Sequence, residues 1–317
     1  MSKKRLAGII AGCIVTIIVV IVIAGCQGDR ISILNPYQLT DNRYKVQLHA
    51  HTMNSDGADS PAVLATAYKN AGYDALAITD HNYLTPDPGA SGILHINGVE
   101  ESTSLEHRQH IVNLFAVSEK SRTTLQDVID KILLDNALAC IAHPSLGGVS
   151  TDTLQQLLGY QLIEIATTAE TVVGQAVAEA AWDFLLTRER HVWAIGVDDC
   201  HDISGSEFNK YFVEIMADEL TTTAIKDSLK NGNFYVRQTG APQITVTVSN
   251  TTVTCNSSTP MNIQFIGMNS TVLKTENGVT QSTYTLQGWE QYVRIKAVDN
   301  ATATYYTWSQ PVWILGT

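Results

Sequence analysis

The sequence of 317 residues lacks the motifs of several large enzyme classes. It contains no glycine-rich phosphate loop, no Gly-x-Ser-x-Gly elbow and no Cys-x-x-Cys pair, which excludes nucleotide-loop and serine-hydrolase mechanisms. Cysteine is scarce: apart from Cys13 and Cys26 near the N-terminus, only Cys140, Cys200 and Cys255 remain. Three widely spaced thiols predict neither a disulfide scaffold nor a zinc ribbon.

Positive charge is scarce as well. The chain has 20 Lys and Arg residues against 31 Asp and Glu residues, a formal net charge of −11. Such a chain repels a phosphate backbone, so no nucleic-acid polymer is expected as a partner, whereas metal cations are. With 44% hydrophobic and 16% charged residues, the composition is typical of a globular protein with a sizeable core.

The longest apolar run lies at the N-terminus, from Leu6 to Ala24, behind three basic residues. This pattern predicts a secretory signal. The small residues before Cys26 resemble the bacterial lipobox, in which Cys26 would carry the lipid. An uncleaved membrane anchor is the alternative, since about 20 apolar residues can span a bilayer. In both cases residues 1–26 would tether the chain outside the cytoplasm, at the cell surface or in the periplasm, and residues 27–43 would form a linker.

Residues 44–240 alternate short apolar strands with helical patterns, which predicts an α/β fold with a parallel sheet or barrel. The predicted strands are 44–51, 75–81, 93–100, 111–117, 137–143, 162–167, 192–198 and 211–216. The predicted helices are 60–72, 124–136, 172–190 and 221–231. Residues 241–317 are rich in strand patterns and in Asn, Gly and Ser turns, which predicts a small all-β sandwich.

Imidazole and carboxylate groups stand at almost every predicted strand end before residue 240. His49 and His51 are two apart on one strand and therefore share a face. The others are Asp56, Asp80, His81, Glu100, His110, His143, Asp199 and His201. Active sites of α/β barrels lie at the C-terminal ends of the strands. Mixed imidazole and carboxylate ligands suit zinc, manganese or iron, so the pattern predicts a metal site.

The order His-x-His, Ser-Asp-Gly, Thr-Asp-His, Glu, His, Ala-His-Pro and Asp-x-His resembles the PHP (polymerase and histidinol phosphatase) superfamily over residues 44–240. The resemblance implies a distorted (β/α)7, TIM-like barrel that holds two or three divalent ions. It implies a first ion on His49, His51, Glu100 and Asp199. It implies a second ion on Asp56, His81 and His201, and a third on Glu100, His110 and His143.

Roles beyond metal binding are less sharply defined by the sequence. Asp80 and His201 are the candidates for catalysis: His201 is also a ligand, whereas Asp80 is expected to orient a ligand imidazole. Asp198 and Cys200 should face away from the site, and for Glu164 contact with the site and a structural place are equally open. The arginines that could bind a substrate anion are Arg108, Arg122 and Arg237. The histidines predicted at the surface or in the core are His95, His107 and His191.

The resemblance implies hydrolysis of a small-molecule phosphate ester by metal-bound hydroxide. Hydrolysis of a carboxylester or carbamate on the same barrel is the alternative. A third hypothesis is a non-catalytic, metal-binding surface protein that uses the sandwich to bind a glycan or a partner.

Overall fold

The computed structural model describes residues 31–38, 40, 42–103, 109–120, 124–168 and 178–315. The predicted signal or anchor and the first part of the linker, including Cys13 and Cys26, lie outside these residues. Among the residues described, no helix is both long and apolar enough to cross a membrane. The three cysteines described, Cys140, Cys200 and Cys255, are buried and unpaired.

The described chain forms sixteen strands and five α-helices. The strands before residue 241 are β1 (Ser32–Leu34), β2 (Arg43–Gln47), β3 (Ala75–Ile78), β4 (Leu94–Ser102), β5 (His110–Leu114), β6 (Leu138–Ile141), β7 (Leu162–Thr167), β8 (Trp193–Val197), β9 (Tyr211–Met216) and β10 (Phe234–Gln238). The later strands are β11 (Ile244–Ser249), β12 (Thr252–Gly267), β13 (Thr271–Thr285), β14 (Tyr292–Asp299), β15 (Tyr306–Ser309) and β16 (Val312–Leu315). The helices are α1 (Pro61–Asn70), α2 (Leu125–Leu134), α3 (Thr151–Gln156), α4 (Glu179–Leu186) and α5 (Thr222–Asn231).

The strands that follow the linker form a mixed sheet, so an all-parallel sheet, one of the two arrangements predicted, is not present among the residues described. β2, β3 and β4 run parallel to one another, and so do β6, β7 and β8, whereas β2 is antiparallel to β9 on its other side. β5 is antiparallel to both β4 and β6. The segments after β2 and β8 meet at one parallel bridge between Ala50 and Cys200, and the strands of the described chain form no closed ladder. The α/β class is confirmed, and the (β/α)7 barrel stays a prediction.

The C-terminal region is rich in strands, as predicted, and these strands pair antiparallel and continue the same sheet; the separate sandwich domain stays a prediction. β10 pairs with β9 on one side and with β15 on the other, across the predicted boundary at residue 241. β14 connects β12, β15 and β16, and β16 pairs with β1. The largest apolar core contains Tyr292, Trp308 and Trp313 together with strands β6 to β8. The two sequence regions therefore share a sheet and a core.

Three helices begin where the sequence predicts, because a hydroxyl group caps each N-terminus. Ser60 accepts a hydrogen bond from the Val63 amide, and Thr124 and Thr221 cap α2 and α5 in the same way. Gly232 ends α5 with a φ of 74°, and a Cβ there would lie 2.8 Å from the Trp193 ring. The predicted helix 172–190 is shorter in the described chain, where α4 spans only eight residues and 169–177 lie outside it.

A buried ion pair joins α4 to β14. Arg294 donates from Nε and Nη2 to the two carboxylate oxygens of Asp183, at 2.7 and 2.6 Å. Both side chains are 1% exposed. The Tyr292 hydroxyl also donates to Asp183, and Glu179 lies 3.2 Å from the guanidinium. Separating this buried pair would leave an uncompensated charge in the interior. The contact therefore holds the C-terminal strands against the helix.

Candidate metal centre

The predicted ligands converge at one edge of the sheet. His49 and His51 lie just after β2, His143 lies two residues after β6, and Asp199 lies two residues after β8. Glu100 lies in β4, where a parallel backbone bridge joins it to His81, which follows β3. His110 begins β5, and because β5 runs antiparallel its beginning lies at the same edge as the ends of its neighbours. Strand direction thus explains how a residue at the start of a strand joins the cluster.

Three groups of side chains place one possible ligand atom each within 4.8 Å of one another. The inner group is His49, His51, Glu100 and Asp199, all buried. The outer group is His51, Asp56, His81 and His201. The side group is His81, Glu100 and His110. The inner group is the set that the family resemblance implies, the outer group adds His51 to the expected three, and the side group contains His81 where His143 was expected.

Glu100 lies at the centre of the cluster. Its Oε1 lies 2.7 Å from His110 Nδ1 and 2.9 Å from His143 Nε2. Its Oε2 lies 3.1 to 3.4 Å from ring nitrogens of His49, His51 and His81. His143 therefore contacts Glu100 directly even though it is absent from the three compact groups. Each carboxylate oxygen of Glu100 thus lies among possible ligand nitrogens, so the two oxygens could bridge neighbouring ions.

Two predicted ligands have a left-handed backbone. The φ of His143 is 23° and that of Asp199 is 51°. Non-glycine residues rarely adopt these angles, and each such residue costs roughly 1–3 kcal/mol. The left-handed conformation of His143 and Asp199 therefore costs conformational free energy, and it directs both side chains towards the other ligands.

The electrostatics of the cluster keep His49, His51, His143 and Glu100 charged. Burial lowers the pKa values of His51 and His143, but Asp199 and Glu100 outweigh it and raise both to about 9. The same carboxylates and Glu164 raise the pKa of His49 well above its usual value, although burial opposes this. Burial raises the pKa of Glu100, yet the imidazoles of His49 and His110 hold it well below its usual range.

The residues fit transition-metal ions. Three buried polar atoms of the cluster have no hydrogen-bond partner among the residues described, namely Asp199 Oδ1, His81 Nδ1 and His143 Nδ1. Asp199 Oδ1 lies 3.2 Å from Nε2 of both His49 and His51. Unpartnered buried polar atoms are costly, and a cation would satisfy the carboxylate oxygen. Imidazole and carboxylate donors suit zinc, manganese or iron, and the number and identity of the ions stay predictions.

Asp80 has a different place from the one expected. Its carboxylate accepts hydrogen bonds from the backbone and hydroxyl of Thr52, from Ser55 and from Thr85. These donors occupy both oxygens, and among the described contacts no imidazole hydrogen-bonds to Asp80. The expectation that Asp80 directly orients a ligand imidazole is therefore wrong. Asp80 orders the loop between His51 and Asp56 instead, and among the described contacts it is linked to His51 through Ser55, whose Oγ lies 3.4 Å from His51 Nδ1.

Neighbouring residues fix the segment that carries His201. The Asp198 carboxylate accepts hydrogen bonds from three consecutive backbone amides, at 209, 210 and 211, and from Tyr68. Burial raises its pKa to about 6. Cys200 packs in an apolar cluster, so both residues face away from the ligands, as predicted. Glu207, which the sequence did not single out, accepts from the His201 amide at 2.8 Å.

The other candidates have separate surroundings. Arg237 is ion-paired with Glu214, donates to the Ala241 carbonyl and does not line the cavity over the predicted ligands, so these contacts do not support a role in binding a substrate anion. Arg108, Arg122 and His107 lie outside the described residues. His191 stacks on Trp313 with ring centroids 4.1 Å apart, as expected of a packing residue. His95 is half-buried, and burial lowers its pKa.

A cavity of about 160 Å³ opens over the cluster. It is lined by His81, Glu100, His110, His143, Leu146, Asp199 and His201. A larger cavity of about 350 Å³ lies beside α5 and contains none of the predicted ligands. Chemistry rather than size therefore identifies the functional cavity.

Comparisons with known proteins extend this description. No family model matches the sequence. No curated protein matches it either. A two-domain protein from Bacteroides vulgatus ATCC 8482, containing a predicted PHP-like metal-dependent phosphoesterase, is 17% identical with a TM-score of 0.53. The match covers 92% of this chain and 100% of the other, which at this identity shows a shared fold.

Two further solved structures match about three fifths of the chain. A candidate metal-dependent phosphoesterase from Bifidobacterium adolescentis is 14% identical, with a TM-score of 0.42, over 59% of this chain and 96% of the other. A lesion-specific endonuclease from Pyrococcus furiosus is 12% identical, with a TM-score of 0.45, over 60% of this chain and 56% of the other.

Proposed function

We propose that this chain is a metal-dependent phosphoesterase of the PHP type that acts outside the cytoplasm. The observation that carries the proposal is the sharing of side chains between ligand groups. His51, His81 and Glu100 each belong to two of the three groups. Shared ligands bring ions close together, and adjacent ions suit in-line displacement at phosphorus because they stabilise both the attacking and the leaving oxygen. The shared fold with the Bacteroides protein supports the proposal.

The chain's own residues supply a rigid frame for this chemistry. When bound, two or three divalent ions would activate water and polarise the phosphoryl oxygens. Glu100 contacts five ligand imidazoles and sets the distances between them. Asp80 accepts hydrogen bonds that order the loop carrying Asp56. We assign His201 proton transfer with the substrate in the form in which its imidazole is not bound to the second ion, because this one-third-exposed imidazole lines the cavity. Burial lowers its pKa, but the hydrogen bond with Asp56 prevails and raises it.

The substrate class follows from size and charge. A cavity of about 160 Å³ suits a phosphoryl group and a small part of its substituent. Cleavage before Cys26 would leave 17 basic against 31 acidic residues, a charge of −14. The negative charge of the protein would repel a long nucleic acid along its length. A small ester bound at the ions lies within about one Debye length of them, roughly 8 Å, so salt does not screen their attraction. We therefore propose a small-molecule phosphoester as the substrate.

The proposed location rests on the N-terminal sequence. The apolar run before Cys26 supports a lipid attached at that cysteine, with an uncleaved anchor as the alternative. In either form the metal centre would face the periplasm or the cell surface.

Metal analysis followed by a substrate panel tests the function. The chain purified after expression with zinc, manganese or iron should hold at least two ions, and it should hydrolyse a phosphomonoester or phosphodiester faster than a neutral carboxylester. Inorganic phosphate should inhibit competitively, because its oxygens can contact the ions as a product does. The His191→Ala variant serves as a control that changes a histidine remote from the centre.

Three results would contradict the proposal. Fewer than about one ion per chain would remove the metal centre and favour a different role for the cluster. Turnover confined to neutral esters, unaffected by millimolar phosphate, would favour the carboxylester or carbamate hydrolase. Cleavage of a DNA oligonucleotide in preference to every small ester would refute the substrate class.

A further inference from the structure

Glu164 connects two ligand-bearing segments that come from different strands. This residue lies in β7 and is 0% exposed. Its Oε1 lies 2.7 Å from His49 Nδ1, and its Oε2 accepts a hydrogen bond from the backbone amide of His143 at 2.7 Å. His49 follows β2 and His143 follows β6, so one buried carboxylate holds both ends of the cluster.

We propose that Glu164 is the positioning residue of the metal centre, which selects the ligating tautomer of His49 and fixes the backbone of His143. The inference rests on the metal centre of the proposed function and assigns a task to a residue outside the predicted ligand set.

The first part of this task concerns the proton on His49. Its Nε2 faces the inner group, 3.1 Å from His51 Nε2 and 3.2 Å from Asp199 Oδ1. An imidazole can ligate a metal through Nε2 only if the proton is on Nδ1. The Glu164 carboxylate accepts from Nδ1–H and therefore favours the tautomer whose Nε2 can bind the ion.

The second part concerns the backbone at His143. Its left-handed φ of 23° is rare for a residue with a side chain. Its amide N–H is buried, so it needs an acceptor, and Glu164 provides one. That hydrogen bond holds the turn that places His143 Nε2 2.9 Å from Glu100 Oε1.

The geometry distinguishes a carboxylate from any neutral side chain of the same shape. Both oxygens of Glu164 accept from N–H groups. Glutamine has one acceptor oxygen, and its amide nitrogen would face the second N–H donor. Glu164→Gln therefore preserves volume while it disrupts one of the two hydrogen bonds.

Glu101→Gln is the matched control. Glu101 lies in β4, is also 0% exposed and is adjacent to the ligand Glu100. Its Oε1 accepts from the Asn113 amide and the Lys120 backbone, both of which a glutamine oxygen can accept. Comparing the two variants separates loss of a buried carboxylate in general from loss of the contact with the ligands.

The experiment measures zinc affinity by competition with a chelator and the proton NMR spectrum of the cobalt(II)-loaded protein labelled with 15N-histidine. Glu164→Gln should weaken zinc binding by about 10- to 100-fold, and Glu101→Gln should change it by less than about 2-fold. In the parent, the His49 Nδ1–H should give a slowly exchanging, hyperfine-shifted signal with a nuclear Overhauser contact to Glu164. In Glu164→Gln this signal should exchange faster or vanish.

Unchanged zinc affinity in a folded Glu164→Gln protein would overturn the inference. So would a parent spectrum that shows cobalt-bound His49 without a proton on Nδ1, and this measurement decides the matter even if the variant fails to fold. Neither readout requires turnover. A parent that shows the signal but hydrolyses no phosphoester would refute the proposed function and support the inference.

Discussion

Binding of metal should release protons, because the carboxylates around His51 and His143 keep these two ligand imidazoles protonated. The pKa values of His51 and His143 are about 9, since nearby carboxylates outweigh the effect of burial. At pH 7.5 each imidazole would then be protonated in roughly 97% of molecules. A ligand imidazole must be neutral, so each of them loses its proton when an ion binds.

The size of the effect follows from these values. Two imidazoles predict a release of about two protons per chain at pH 7.5, and His49, whose pKa is also raised, adds to this number. The Glu100 and Asp199 carboxylates contribute none, because their lowered pKa values keep them ionised. Apparent affinity for the inner ion should rise by at least about tenfold per pH unit between pH 7 and 9, because binding removes the proton of His51.

The same shifts determine the pH dependence of the metal-free fold. The folded pKa values of about 9 exceed the ordinary value of 6.5. Protonation of His51 and His143 therefore contributes its full stabilisation below pH 6.5, and this contribution is lost as the pH rises through 9.

Calorimetric titration with zinc at pH 7.5, in two buffers of different protonation enthalpy, counts the protons. The His143→Ala variant should release about one proton fewer than the parent, and His191→Ala should match the parent. A release of less than about one proton, or an affinity that stays constant between pH 7 and 9, would refute the electrostatic argument.

Three further expectations can be checked independently. His49→Ala should lower hydrolysis by about 100-fold or more while His191→Ala leaves it nearly unchanged, and equal rates would show that the cluster is not the catalyst. Asp183→Ala leaves a buried guanidinium without its main partner, so urea unfolding should show a free energy lower by about 3–5 kcal/mol, and a loss below about 1 kcal/mol would contradict the buried ion pair. Cys26→Ala should abolish lipid labelling and membrane fractionation while Cys13→Ala preserves both; identical behaviour of Cys26→Ala and the parent would favour the uncleaved anchor.

The cluster could be predicted because most of its ligand residues stand directly beside short apolar strands in the sequence. His49, His143 and Asp199 each follow a short apolar strand, and parallel strands bring such ends to one edge. His110 begins its strand, so the rule that ligands follow parallel strands does not by itself place it at this edge. The antiparallel direction of β5 resolves the discrepancy, and that direction depends on pairing with both neighbours rather than on the strand's own residues.

The residues that support the cluster depend on contacts that the sequence does not display. Glu207 meets the His201 amide through the fold of its own loop, and Asp80 is occupied by threonine and serine donors from two loops. Residues 256–260 of β12, Asn-Ser-Ser-Thr-Pro, have the composition of a turn. In the structure this segment is an irregularity within one 16-residue strand, and pairing with β11 and β13 keeps the chain extended there.

The pairing of β1 with β16 makes the described chain nearly circular. Ser32 lies opposite Leu315, so the first and last strands are neighbours in an antiparallel ladder. Neighbouring strands lie about 5 Å apart, a gap that a few added residues would close. The exposed turn at Asn250 between β11 and β12 could then serve as a new pair of ends. In such a circular permutant, the strands after residue 251 would be synthesised before any ligand-bearing segment. We expect the contacts of the metal centre to be retained. The order of the two regions in the sequence therefore determines the order in which they are synthesised, and we expect the same fold from either order.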